Sequence, residues 1–138
     1  MVANQSSIPS DAYVGGYDIH NQTLHVCRQM IGSSHHTGKA NSLLGCVIPY
    51  DEKENFFDDK QTFEVLVAKN VQWVPRHGTD PVPGSALVVG QKQNNRVYVG
   101  RCLIPDSLVV GKIDNDFYYG FAKKEWNNCI NHEVLICS

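Results

Sequence analysis

The residues able to do chemistry are few, and most exclude themselves on spacing. His35-His36 invites a metal ion, but adjacent residues in an extended chain point to opposite sides. No carboxylate or third histidine stands nearby in sequence, so a surface loop is the expected reading. The acidic run Asp51–Asp59 lacks the alternating Asp and central Gly of a calcium loop, which leaves a solvated hairpin end. No Gly-x-Ser-x-Gly elbow supports a hydrolytic serine, and no Cys-x-x-Cys pair supports zinc. Two lysines do recur, Lys39 after Gly38 and Lys112 after Gly111, each followed by a Lys-Glu pair, Lys53-Glu54 and Lys124-Glu125. The recurrence of Lys-Glu points to a structural ion pair or turn.

These lysines belong to an internal repeat, which governs the fold. Ala12-Tyr13-Val14-Gly15-Gly16-Tyr17-Asp18 is matched by Ala86-Leu87-Val88-Val89-Gly90-Gln91-Lys92, and Leu24–Arg28 by Val97–Arg101. Ile48-Pro49-Tyr50 is matched by Tyr119-Gly120-Phe121, and Glu64-Val65-Leu66-Val67 by Glu133-Val134-Leu135-Ile136. The expected units are residues 8–69 and 70–138 after a loose tail, 1–7. Two units of ~70 residues would each be marginal alone, so they are expected to share one core.

Alternating β-branched and aromatic residues predict strands over Ala12–Ile19, Thr23–Ile31, Phe63–Ala68 and Val71–Val74, with Gly32–Thr37 as a loop that delivers Lys39. Gly15-Gly16 and Gly90 fall inside strands, where a bulge or a close backbone approach by a ligand would explain them. No stretch carries the apolar period of a helix, and turn signals recur at the spacing of a sandwich or barrel. Trp73 opens the second unit, and its equivalent in the first would lie before Met1, so the first unit is short of a strand there. The fold class expected is all-β: one antiparallel sandwich or barrel-like unit with pseudo-twofold symmetry.

A formal charge of −2 over 138 residues, with no basic run, argues against nucleic acid as a partner. No apolar stretch reaches the ~20 residues of a membrane span. The polar N-terminus lacks the basic start and apolar core of a signal peptide, which predicts a cytoplasmic protein, or one released by a non-classical route. Five cysteines, Cys27, Cys46, Cys102, Cys129 and Cys137, do not align between the copies. Free buried thiols are therefore expected rather than a disulfide framework.

The repeated words, Val14-Gly15-Gly16-Tyr17-Asp18, Val97-Tyr98-Val99-Gly100-Arg101, Thr37-Gly38-Lys39, Lys53-Glu54 and Phe63-Glu64-Val65-Leu66, resemble the DM9 repeat family over nearly the whole chain, twice. A chain of two such repeats is similar to the family's mannose-binding lectins. The resemblance implies metal-independent binding of mannose or mannosylated glycans without a cofactor, homodimerisation, and innate immune recognition of microbial surface polysaccharides. It places the sugar on Asp18 and Lys39, and with less support on Tyr17, His35, Lys112, Lys92 and Asp114. Lys92 stands where the second repeat would need Asp, so Lys112 would be repelled unless Asp114 or Asp116 intervenes. A carboxylate accepts two hydroxyl protons and an ammonium supplies three donors, so such a pair holds a sugar diol without a metal. Tyr17, Tyr50, Tyr119, Phe121 and Trp126 could stack on a sugar, although most are expected in the core. Catalysis is not expected. The residues leave a second class open, an intracellular protein-interaction module (vesicle- or stress-associated) that binds no sugar.

Overall fold

Strands form where buried and outward residues alternate. In Asn95–Ile104, Val97, Val99 and Cys102 turn inward while Arg96 and Leu103 face solvent. In a computed structural model, which describes residues 1–58, 60–92 and 94–138, this pattern builds an all-β protein without helix among the described residues. Asp59, the end of the acidic run, lies outside them. Among the described residues, no helix is long and apolar enough to cross a membrane. The strands are β1 (Val2–Ala3), β2 (Val14–Tyr17), β3 (Thr23–Ile31), β4 (Ser34–Asn41), β5 (Gly45–Tyr50), β6 (Lys53–Phe57) and β7 (Phe63–Val65). Their counterparts are β8 (Val71–His77), β9 (Val88–Lys92), β10 (Asn95–Ile104), β11 (Ser107–Asp114), β12 (Asp116–Phe121), β13 (Lys124–Trp126) and β14 (Asn131–Cys137).

The sheet runs β1-β7-β3-β4-β5-β6-β13-β12-β11-β10-β14-β8, an order that reads the same from either end once each strand is exchanged for its copy. At its centre Lys53 pairs with Lys124, the same residue in both copies, so the pseudo-twofold axis passes there. β2 pairs with β3 and, through Tyr17 and Leu108, with β11. That bridge closes an eight-stranded antiparallel barrel, with the remaining strands outside it. The copies also share a core, in which Leu24 and Val26 pack with Val97, Val99, Val110 and Leu135.

The strand glycines explain the closure. The register shifts between Val14 and Gly16, as a bulge requires, and a Cβ on Gly16 would strike the Leu108 carbonyl oxygen. Gly90 stands in the same relation to the His35 carbonyl, where β9 packs on β4. The close approach is therefore by the other copy's backbone and not, as expected, by a ligand.

Three further expectations change. Ser34–Thr37 is strand, because residues 34–37 pair with Ile31 back to Arg28 on β3, and tertiary pairing overrides a polar composition. The first seven residues are not a loose tail: Val2 and Ala3 pair with Glu64 and Phe63, and Gln5 donates to the Ser42 and Leu43 carbonyls. β1 thus stands in part where a strand was expected to be lacking. The cysteines are also not all free. Cys27 bonds Cys46 and Cys102 bonds Cys129, with Cα separations of 6.0 and 6.6 Å inside the bridging range, and Cys137 is the free thiol. Each bridge lies within one copy but at non-equivalent positions. One ties β3 to β5; the other ties β10 to the segment before β14. A search for cysteines recurring at aligned positions passes over such a pairing.

Candidate functional site

Two hairpin tips meet at the pseudo-twofold axis. The turns Asp51-Glu52 and Ala122-Lys123 each place two non-glycine residues at positive φ (56° and 67°, 53° and 68°), the conformation that matches the twist of a two-residue hairpin. Such residues are strained, and each tip is held by the other. Glu54 Oε1 accepts the Lys123 amide at 2.6 Å, and Glu125 Oε1 accepts the Glu52 amide at 3.0 Å. The other carboxylate oxygens turn to the lysines: Glu54 Oε2 lies 3.2 Å from Lys39 Nζ and Glu125 Oε2 lies 3.8 Å from Lys112 Nζ. The recurring Lys-Glu pair thus supplies the expected ion pair and turn, and its partners are the site lysines.

Lys112 is the more enclosed of the two, its side chain 4% exposed. Its ammonium donates to His36 Nδ1 at 3.0 Å and lies 5.1 Å from the Tyr50 ring centroid and 5.7 Å from that of Tyr118. Burial pushes Lys112 down to about 8, with Lys92 adding to the fall while Glu125 and Asp114 oppose it. Burial first, then Lys112, holds His36 down at about 4, so at neutral pH it is an uncharged ring that accepts this hydrogen bond. Asp114 does intervene between the cations, 3.6 Å from Lys92 Nζ, and also accepts from Asn95. Asp116 instead caps the Phe117 amide and receives Asn127. A cleft of about 440 Å³ opens here, lined by Lys92, Lys112, Asp114, Tyr118 and Glu125 from the second copy and by Tyr50 and Asp51 from the first. The cleft exists only because the tips cross.

At the pseudo-equivalent place, Lys39 donates to the Gly120 carbonyl at 2.8 Å and pairs with Glu54. Asp18 caps its own hairpin, accepting the His20 and Gln22 amides at 2.9 and 2.8 Å through Oδ1, and its Oδ2 receives Asn41 at 3.5 Å. Asn41, two residues beyond Lys39 on β4, thus reaches Asp18, as Asp114, two residues beyond Lys112 on β11, reaches Lys92. Tyr17 contributes its backbone to barrel closure, accepting the Ser107 hydroxyl at 2.8 Å. His35 is not with Lys39. It stands 3.5 Å from Glu64 and four residues up the strand, ~13 Å at about 3.3 Å per residue. His35 and His36 do point to different sides, as adjacent strand residues must.

Among the aromatic candidates, Tyr50 faces the cleft, Tyr119 is buried, and Phe121 and Trp126 border an exposed groove beside Leu103. Sequence reasoning did not assign Glu125, Glu54, His36 and Tyr118 to a site. The recurring Lys-Glu pair was a usable signal for the glutamates; nothing comparable marks His36, whose counterpart is Val109. Among the described residues, no group of three or more His, Cys, Asp or Glu is arranged to hold a metal. A family model of the DM9 repeat matches residues 42–128, more than half of the chain, from the turn before β5 through both crossing tips. No curated protein matches it.

Proposed function

Given that the chain belongs to the DM9 repeat family, we propose that it is a carbohydrate-binding protein that recognises mannose or mannosylated glycans without a metal. The observation that carries this reading is the composite cleft, where an enclosed ammonium, two carboxylates and two tyrosine rings converge. Hydroxyl oxygens of a sugar accept from Lys112 and Lys92, its hydroxyl protons go to Asp114 and Glu125, and its C–H face lies against Tyr50 or Tyr118. Asp18 and Lys39 form the second site of the proposal, with Asn41 and Glu54 beside them.

Hydrogen bonds to charged groups contribute about 1.5–3 kcal/mol each, and desolvation and lost freedom offset much of that. A single site then reaches on the order of −4 to −8 kcal/mol, millimolar to micromolar. Two sites per chain, multiplied in a homodimer, would convert this to useful avidity on a microbial polysaccharide. Two disulfides favour a protein that works in an oxidising setting, as innate recognition outside the cell requires.

The test is a glycan array at neutral pH with EDTA present, comparing the wild type with Lys112→Met, Lys39→Ala and Asp18→Ala. Signal on mannosylated glycans should survive EDTA, fall in Lys112→Met, and fall in the other two for the second site. A blank array with folded wild type would reject the lectin and leave the protein-interaction module in its place.

A further inference from the structure

Trp73 on β8 fills a socket in the second copy, and the pseudo-twofold image of that socket is a cavity of about 270 Å³. In the filled socket the Arg101 guanidinium lies 4.2 Å from the Trp73 ring centroid. Arg101 is fixed there by Glu133 Oε1 at 2.7 Å and the Gly15 carbonyl at 2.9 Å. In the first copy Arg28 makes the same two bonds, to Glu64 Oε1 at 2.9 Å and the Val89 carbonyl at 2.9 Å. No ring covers it. The Arg28 side chain is 37% exposed where that of Arg101 is 20%.

The correspondence extends to the walls. Leu66, Val89 and Val99 of the cavity are the images of Leu135, Gly15 and Val26 around Trp73, with Leu87 in the place of Tyr13. Val89 raises the floor relative to Gly15, so the cavity is shallower than its template. The backbone beside it is also open. Trp73 is carried by a strand whose Gln72 pairs with Ile136. Val67, the image of Ile136, is exposed and has no backbone partner among the described residues. Met1 pairs with Val65 as Val74 does with Val134, so the register position of Trp73 is the one opposite Leu66, next to Met1.

We propose that this cavity is a binding site for an aromatic side chain presented by an extended peptide segment, the ring stacking on Arg28 and the backbone pairing at Val67. The chain itself supplies the template for the occupant, since Val71-Gln72-Trp73 makes these contacts in the other copy. A held guanidinium with an uncovered face attracts an aromatic ring, and an unpaired strand edge attracts an extended backbone. The site is separate from the lysine clefts and needs no sugar.

The test uses the full chain and two capped peptides, acetyl-Val-Gln-Trp-amide and acetyl-Val-Gln-Ala-amide, with backbone amide shifts read by NMR. The tryptophan peptide should give saturable shifts at Arg28, Val67 and Val89, the alanine peptide none. Arg28→Met keeps the apolar stem and removes the cation, and should weaken binding roughly three- to fivefold. The comparison of the two peptides on wild type decides the matter even if that variant folds poorly. Absence of shifts at these residues with the tryptophan peptide, or equal shifts with both peptides, would overturn the proposal. So would free indole reproducing the whole pattern, since the site would then serve a small aromatic molecule.

Discussion

Raising the pH from 7 to 9 should release sugar from the composite cleft while leaving the protein folded. Lys112 titrates at about 8, so its charged and neutral forms stand at roughly ten to one at pH 7 and one to ten at pH 9. If the ammonium is the donor, affinity for a probe such as methyl α-mannoside falls roughly tenfold, about 1.4 kcal/mol. The stability sign runs the other way. The folded value lies below the 10.5 of an exposed lysine, so as pH falls the unfolded chain takes up the proton first. Between pH 8 and 10.5 this group makes the native state more stable as pH rises. Loss of binding at pH 9 therefore cannot be charged to unfolding at Lys112. Burial and the nearby carboxylates push Tyr118 upward, so it does not ionise in this window. Calorimetric titration at pH 7, 8 and 9 in EDTA, on a variant lacking the second site (Lys39→Ala), isolates the cleft. Equal affinity at all three values would refute the ammonium as the donor.

Two further predictions test the frame that holds the site. Replacing Cys27 and Cys46 by serine, or Cys102 and Cys129, should each cost about 3 kcal/mol, since each bridge closes a loop of 19 or 27 residues. Urea unfolding with and without reductant measures that cost, and an unchanged midpoint would count against the bridges. Gly16→Ala and Gly90→Ala should each destabilise by about 1–3 kcal/mol, toward the upper end because the obstacle is a carbonyl rather than a side chain that can turn away. In thermal melts, a neutral Gly16→Ala would mean that the barrel does not close through Tyr17 and Leu108, and a neutral Gly90→Ala that β9 does not pack against the His35 carbonyl.

The repeat carried most of the architecture. A palindromic strand order, an axis between Lys53 and Lys124, and a shared core all follow once the two halves have one plan and neither can bury its apolar face alone. The glycines in strands likewise announced a bulge, though the close approach they permit is by the other copy's backbone and not by a ligand, and the need for an acidic group between Lys92 and Lys112 was legible from charge alone. Other features depend on which strands become neighbours. His36 meets Lys112, 76 residues away, and Tyr50 enters the cleft from the opposite copy. No pattern within one repeat encodes such a meeting. Ser34–Thr37 is polar enough to read as a loop and becomes a strand only because β3 offers it a partner.

The two lysines show how one plan yields two unlike sites. Each sits after a glycine on a barrel strand, and each has the glutamate of its own copy, so the duplicated words fix both backbones and both ion pairs. Their remaining contacts differ. Lys39 donates to a main-chain oxygen, Gly120, which any residue at that place would offer. Lys112 donates to the imidazole of His36, a side chain without a counterpart in the other copy, and lies near the rings of Tyr50 and Tyr118, whose counterparts are Phe121 and Val47. The charges at the rim are redistributed as well, Asp18 and Asn41 on one side, Lys92 and Asp114 on the other. Because His36 and Tyr50 belong to the first copy while Lys112, Tyr118 and Glu125 belong to the second, the cleft reads the docking of the two halves directly. A change that shifts the tips against each other, such as loss of the Glu54 bond to the Lys123 amide, would misplace its walls without touching a residue that lines it.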